Sequence, residues 1–152
     1  MLEAQMSYGQ NKIASVSSQE YYDFFNSFIN PDSIHNFNLE NKPDFTHILN
    51  DTTSIFSDSS LFTAADIDFI RIQISTSIKF KWKSGKILGS KVISSKEIAS
   101  FFKTSAQDEG WRKFNRKYKN GFSTFSIPLF SLNKKTCIVY EASHCGGLCG
   151  YG

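Results

Sequence analysis

Residues 67–82 read IDFIRIQISTSIKFKW, and two periodicities compete in them. Ile67, Ile70, Ile74 and Ile78 fall on one helical stripe. Ile70, Ile72, Ile74, Thr76, Ile78, Phe80 and Trp82 also alternate with Arg71, Gln73, Ser75, Ser77, Lys79, Lys81 and Lys83, which is the period of a strand. The residues just before decide for a helical start. Thr63-Ala64-Ala65-Asp66 is a capping signal, with Thr63 as the cap and Asp66 near the positive helix end. Both patterns hold if a helix runs from 63 to about 74 and an extended segment from 78 to 83.

Upstream, SVSSQEYYDFFNSFINP (residues 15–31) reads as the first helix. Ser17 or Ser18 caps it, and Tyr21, Phe24, Phe25, Phe28 and Ile29 share one stripe. Pro31 ends it, because proline disfavours helical geometry in the residue before it. Residues 30–60 are rich in Asn, Asp, Ser and Thr and read as irregular, with one or two turns over DFTHILND (44–51).

Downstream, Ser84-Gly85 marks a turn and ILGSKVI (87–93) a short strand. SSKEIASFFK (94–103) is a helix capped by Ser94 or Ser95. DEGWRKFNRKYKNG (108–121) is another, with Trp111, Phe114 and Tyr118 inward and Asn120-Gly121 as its stop. FSTFSIPLF (122–130) and KKTCIVYEAS (134–143) form a hairpin around Ser131–Lys134. Pro128 donates no ladder hydrogen bond, so its strand is an edge or is bulged there. The expected class is α+β: a helical N-terminal half, then a small antiparallel sheet (hairpin about 122–143) with helices on one face. Residues 1–16 read as a ragged start and 17–152 as one domain.

Fifteen phenylalanines and 20 % charged residues describe a chain with a real core. No apolar run approaches the roughly 18 residues of a membrane-spanning helix. The start MLEAQMSYGQNK has no basic n-region and no apolar h-region. A cytoplasmic protein is one reading. The other takes Ser7-Tyr8-Gly9-Gln10 as the remnant of a signal peptide, which places the protein outside the cytoplasm. Charge is split: residues 1–76 carry ten acids and three bases, residues 77–152 fourteen bases and four acids. Either the halves neutralise each other or the second half meets a polyanion.

The chain closes on SHCGGLCGYG (143–152). Its glycines permit the tight turn that a Cys145–Cys149 disulfide requires. Closing so short a loop is worth about 2 kcal/mol before strain. The same residues offer a second chemistry, because His144, Cys145 and Cys149 supply three ligands for an open zinc or copper site, or a redox pair. Cys137 makes the count odd and reads as a buried free thiol. Arg112, Lys113, Arg116, Lys117 and Lys119 form a basic stripe suited to an anionic surface; the plainer reading is an ordinary solvated helix face. Lys79, Lys81, Lys83 and Lys86 form a second basic row, which also discourages edge-to-edge pairing. His35 and His47 read as solvated loop residues, and Asn50-Asp51-Thr52 as a chance glycosylation pattern. Nucleophile, zinc-protease, phosphate-loop and dinucleotide motifs are all missing from the sequence, so no enzyme and no cofactor are expected.

Ser126-Ile127-Pro128-Leu129-Phe130-Ser131, the apolar strand Cys137–Tyr140 and the closing Cys145-Gly146-Gly147-Leu148-Cys149-Gly150-Tyr151-Gly152 resemble a group of small uncharacterised bacterial envelope or secreted proteins, often lipoprotein-like. Thr63, Asp66, Ile67, Gln73, Phe80 and Trp82 extend the likeness weakly, over residues 60–152. The resemblance implies export and an α+β domain, and it implies no activity. In such proteins a further strand follows the glycine turn, so the chain reads as truncated at both ends. The expectation is a non-catalytic envelope or secreted domain with a binding or structural role. A thiol-redox or metal protein and an anionic-surface binder are the alternatives. Nucleic acid is not the expected partner.

Overall fold

A computed structural model describes residues 15–28, 36–50, 61–103 and 106–146. The elements are α1 (Ser18–Phe28), β1 (Phe37–Glu40), α2 (Thr46–Asn50), α3 (Ala64–Ser77), β2 (Ser90–Ile93), α4 (Ser95–Phe102), α5 (Gln107–Tyr118), β3 (Phe122–Phe125), β4 (Leu129–Phe130), β5 (Cys137–Ile138) and β6 (Glu141–His144). The fold is α+β. A four-stranded sheet runs β2-β1-β3-β6, and β4-β5 form a separate pair. β1 lies parallel to β2 and β3, while β3 and β6 are antiparallel.

The deciding stretch is helix and then extended chain. Thr63 Oγ1 accepts from Asp66 N at 3.2 Å, and Asp66 Oδ2 accepts from Thr63 N at 2.9 Å, completing a capping box. The helix passes residue 74 and ends at Ser77. In this last turn Ser75 and Thr76 donate their hydroxyls back to Ile72 O at 2.9 and 2.8 Å. Gln73 is buried instead of facing solvent. Its Nε2 donates to Phe130 O at 2.7 Å and its Oε1 accepts from Phe130 N at 3.0 Å, so the side chain serves β4 as a neighbouring strand would. Beyond Ile78 the alternation takes over: Trp82 is buried and Phe80 half-buried, while Lys79, Lys81 and Lys83 are exposed.

Two expectations need correction. Residues 30–60 are not wholly irregular, because Phe37–Glu40 is one of the two central strands of the sheet. The sheet is therefore mixed, with β1 parallel to both neighbours. Helices also cover both faces, not one. Leu39, Val92 and Phe125 join the cluster that holds Tyr21, Tyr22, Ile70 and Ile74 from α1 and α3. Ile93 and Phe122 join Ile98 and Phe114 from α4 and α5. Val92 and Ile93 are adjacent, so their side chains point to opposite faces. Strand order explains the arrangement. The chain moves from β1 outward to β2, then back past β1 to β3. Crossovers of one hand that reverse direction must lie on opposite faces.

The hairpin breaks at Pro128, as its missing donor predicts. β3 pairs with β6 on one side of the break and β4 with β5 on the other. Ser126 N to Tyr140 O at 2.9 Å and Tyr140 N to Ser126 Oγ at 2.8 Å bridge the gap. β2 is shorter than expected, since Gly89 turns the chain at φ 73° before Ser90. In the larger core, Trp82 Nε1 finds no nitrogen or oxygen acceptor among the described residues. Phe25 and Phe80 stand nearly perpendicular to the indole at 5.3 and 4.9 Å. No helix among the described residues is long and apolar enough to cross a membrane.

Candidate functional site

The closing motif begins where β6 ends. Its His144 sits opposite Phe122 in the β3–β6 register, and the two rings stack at 4.8 Å. The imidazole Nε2 lies 3.1 Å from the buried Thr124 Oγ1. Cys145 follows and is disulfide-bonded. Gly146 then turns at φ 78°, and a Cβ there would meet Trp111 Cγ at 2.7 Å. Glycine is needed because the indole occupies that space. Gly121 is equally constrained: a Cβ would lie 2.0 Å from His144 O. Residues 144–146 are thus pressed between the start of α5 and the start of β3. Cys149 lies outside the described residues, as do His35, Asp51, Thr52 and residues 1–14. No three metal-ligating side chains gather among the described residues.

Cys137, on β5, is a free, half-buried thiol, and burial raises its pKa. His47 is not a loop residue; it belongs to α2 and stacks on Tyr140 at 4.3 Å.

The basic stripe is exposed on α5 and its end. Two of its members are engaged. Lys113 Nζ lies 2.8 Å from Glu109 and Lys117 Nζ 2.7 Å from Glu97. Glu97 also accepts from Tyr118 OH. The Lys117 and Tyr118 bonds hold the Glu97 carboxyl below the usual carboxylate range. Arg112, Arg116 and Lys119 make no ion pair among the described residues. Of the four ion pairs among the described residues, only Lys134–Glu20 joins residues 1–76 to residues 77–152.

The end of α5 holds residues that sequence reasoning missed. Lys119 adopts φ 54° and ψ 155°, a region that is essentially glycine's. Asn120 and Gly121 follow with φ 52° and 69°. The clamp on this turn is Asn38, from β1. Its Nδ2 lies 3.0 Å from Tyr118 O, 3.0 Å from Lys119 O and 2.7 Å from Gly121 O, so two hydrogens are shared among three carbonyls. Asn115 Oδ1 adds a bond from Gly121 N at 3.1 Å. Asn120-Gly121 signalled the stop; nothing local signalled a clamp about eighty residues away.

No family profile matches the chain, and no curated protein or solved structure does so either.

Proposed function

We propose that the chain is a non-catalytic bacterial envelope or secreted domain with a binding or structural role, its last bend fastened by a Cys145–Cys149 disulfide. The thiol inventory carries this reading. Cys145 is disulfide-bonded and Cys137 is free, and the chain has three cysteines. His144 supports a scaffolding role, because its ring is committed to Phe122 and its Nε2 to Thr124. A disulfide persists in an oxidising compartment, which favours a place outside the cytoplasm. Alkylation in denaturant, read by mass, tests the proposal. One thiol should react without reductant and three after reduction. Three reactive thiols at the outset, or a stoichiometric metal lost together with structure, would favour the thiol or metal alternative.

A second reading rests on the unpaired cations. Arg112, Arg116 and Lys119 are exposed and make no ion pair among the described residues, although Arg112 acts on the nearby Glu109 carboxylate, and anionic-surface binding through α5 rests on that exposed charge. Retention on heparin should fall in Arg112→Glu/Arg116→Glu. Unchanged retention would remove α5 from the argument.

A further inference from the structure

Beside the clamped turn lies a cavity of about 300 Å³, lined by Asn36, Phe37, Lys91, Tyr118, Lys119 and Asn120, with Asn38. Its volume sits at the lower end for small-molecule sites, which suits one sugar ring and not a nucleotide or a polymer segment. Lys91 Nζ stands 4.9 Å from the centroid of the Tyr118 ring, and Lys117 Nζ stands 5.2 Å from it. The carboxylate nearby, Glu97, is already taken by Lys117 and the Tyr118 hydroxyl. Lys91 also acts on Glu97 through space, but neither it nor Lys119 makes an ion pair among the described residues, so three lysines face one carboxylate and the cavity carries a positive excess.

The backbone points the same way. Glycine would make the turn at 119 without strain, yet a lysine stands there at φ 54° and ψ 155°. A costly conformation at a cavity wall is accounted for if the ammonium is used. Asn36 and Asn120 offer amide donors and acceptors for hydroxyls. The Tyr118 ring, with Lys91 and Lys117 at its face, is the aromatic surface of this cavity on which the C–H groups of a sugar can rest, while the Phe37 ring packs into the core beside Phe125. By contrast, the larger crevice at the end of β1 is lined by Glu40 and Asp44 against a single Lys42, with no strained backbone.

We propose that this cavity binds an anionic monosaccharide, its phosphate or carboxylate held between Lys91 and Lys119 and its ring against Tyr118. The site gives the binding role a ligand class. It does not depend on the sulfur clip, and it shares only Lys119 with the basic stripe.

Isothermal titration calorimetry of the full chain with glucose 6-phosphate, glucuronate, glucose and inorganic phosphate tests the proposal. At least one anionic sugar should bind about tenfold or more tighter than glucose and than inorganic phosphate. The one that binds tells a phosphate from a carboxylate ligand. Lys91→Gln and Lys119→Gln should each weaken that binding about tenfold, while Arg112→Gln/Arg116→Gln leaves it within about twofold. Glucose or phosphate binding equally well, or no binding by any of the four, overturns the proposal. Loss confined to the arginine variant also overturns it, and moves the anion site to the outer face of α5.

Discussion

Replacing Lys119 by glycine should make the protein more stable, although glycine usually weakens folds. Lys119 sits at φ 54° and ψ 155°. A side chain held in that region costs about 1–3 kcal/mol. Glycine removes the cost but brings about 0.5–1 kcal/mol of extra chain entropy to the unfolded state. The Lys119 side chain is exposed and makes no ion pair among the described residues, so little is lost with it. The net gain is about 1 kcal/mol, which corresponds to about 2–4 °C in melting temperature for a chain of this size. Lys119→Ala is the control, because it removes the ammonium and keeps the strain. Urea unfolding should place the glycine midpoint above both alanine and wild type with the slope unchanged. The same glycine variant should bind an anionic sugar less well. If glycine is no more stable than alanine, the turn is not strained, and the case for a functional lysine there loses its main support.

Glycine should have the opposite importance at 121. Gly121→Ala drives a methyl group to 2.0 Å from His144 O and should cost well over about 2 kcal/mol, whereas Gly85→Ala, at φ 74° with open space around it, should cost about 1 kcal/mol; paired urea titrations compare them. Asp66 is held below its ordinary range first by the Leu132 N–H and then by Thr63. A depressed carboxylate stabilises the fold above its unfolded pKa, and that contribution is lost as pH falls through the folded value. Asp66→Asn should therefore melt earlier than wild type at pH 7, and the gap should narrow below about pH 4; a constant gap would show that the carboxylate charge is idle. Burial keeps the Cys137 thiol neutral, so native alkylation at pH 8 should be slow and should speed up in denaturant. Because the unfolded thiol ionises first, stability should decline above about pH 8.5, and Cys137→Ala should flatten that decline.

What the sequence revealed and what it hid divide along a physical line. Local chemistry was legible. The Thr63 and Asp66 side chains cap α3, Ser94 Oγ caps α4 by accepting from Glu97 N at 3.1 Å, and Pro128 splits the hairpin. Contacts distant in sequence were not. Gln73 looked like a surface residue because its partner, the Phe130 backbone, is 57 positions away. β1 has four residues in a tract of turn formers, and its strand character comes from β2 and β3 on either side. Missing β1 also hid the second helix-covered face, since only the order β2-β1-β3 requires it. The closing motif was visible as chemistry, yet its seat on Trp111 was not, because that contact joins Gly146 to a helix 35 positions earlier.

The polar residue in β1 and the strained turn account for each other. β1 is covered on both faces, so Leu39 and Asn38 point into opposite interiors. A buried amide there would be a liability without partners. After Tyr118 the chain must leave α5 and enter β3 alongside β1 by Phe122, with only three residues between. Three positive-φ residues in succession make so short a reversal, and they turn the carbonyls of 118, 119 and 121 toward one point. Asn38 Nδ2 occupies that point. The strand supplies the donor that the turn lacks, and the turn supplies the acceptors that make an asparagine tolerable in the strand. The same reversal brings Lys119 to the cavity that Lys91 lines from β2. The recess is cationic because the residues at 91 and 119 are lysines, and the three-residue passage from α5 to β3 is what sets Lys119 at its wall.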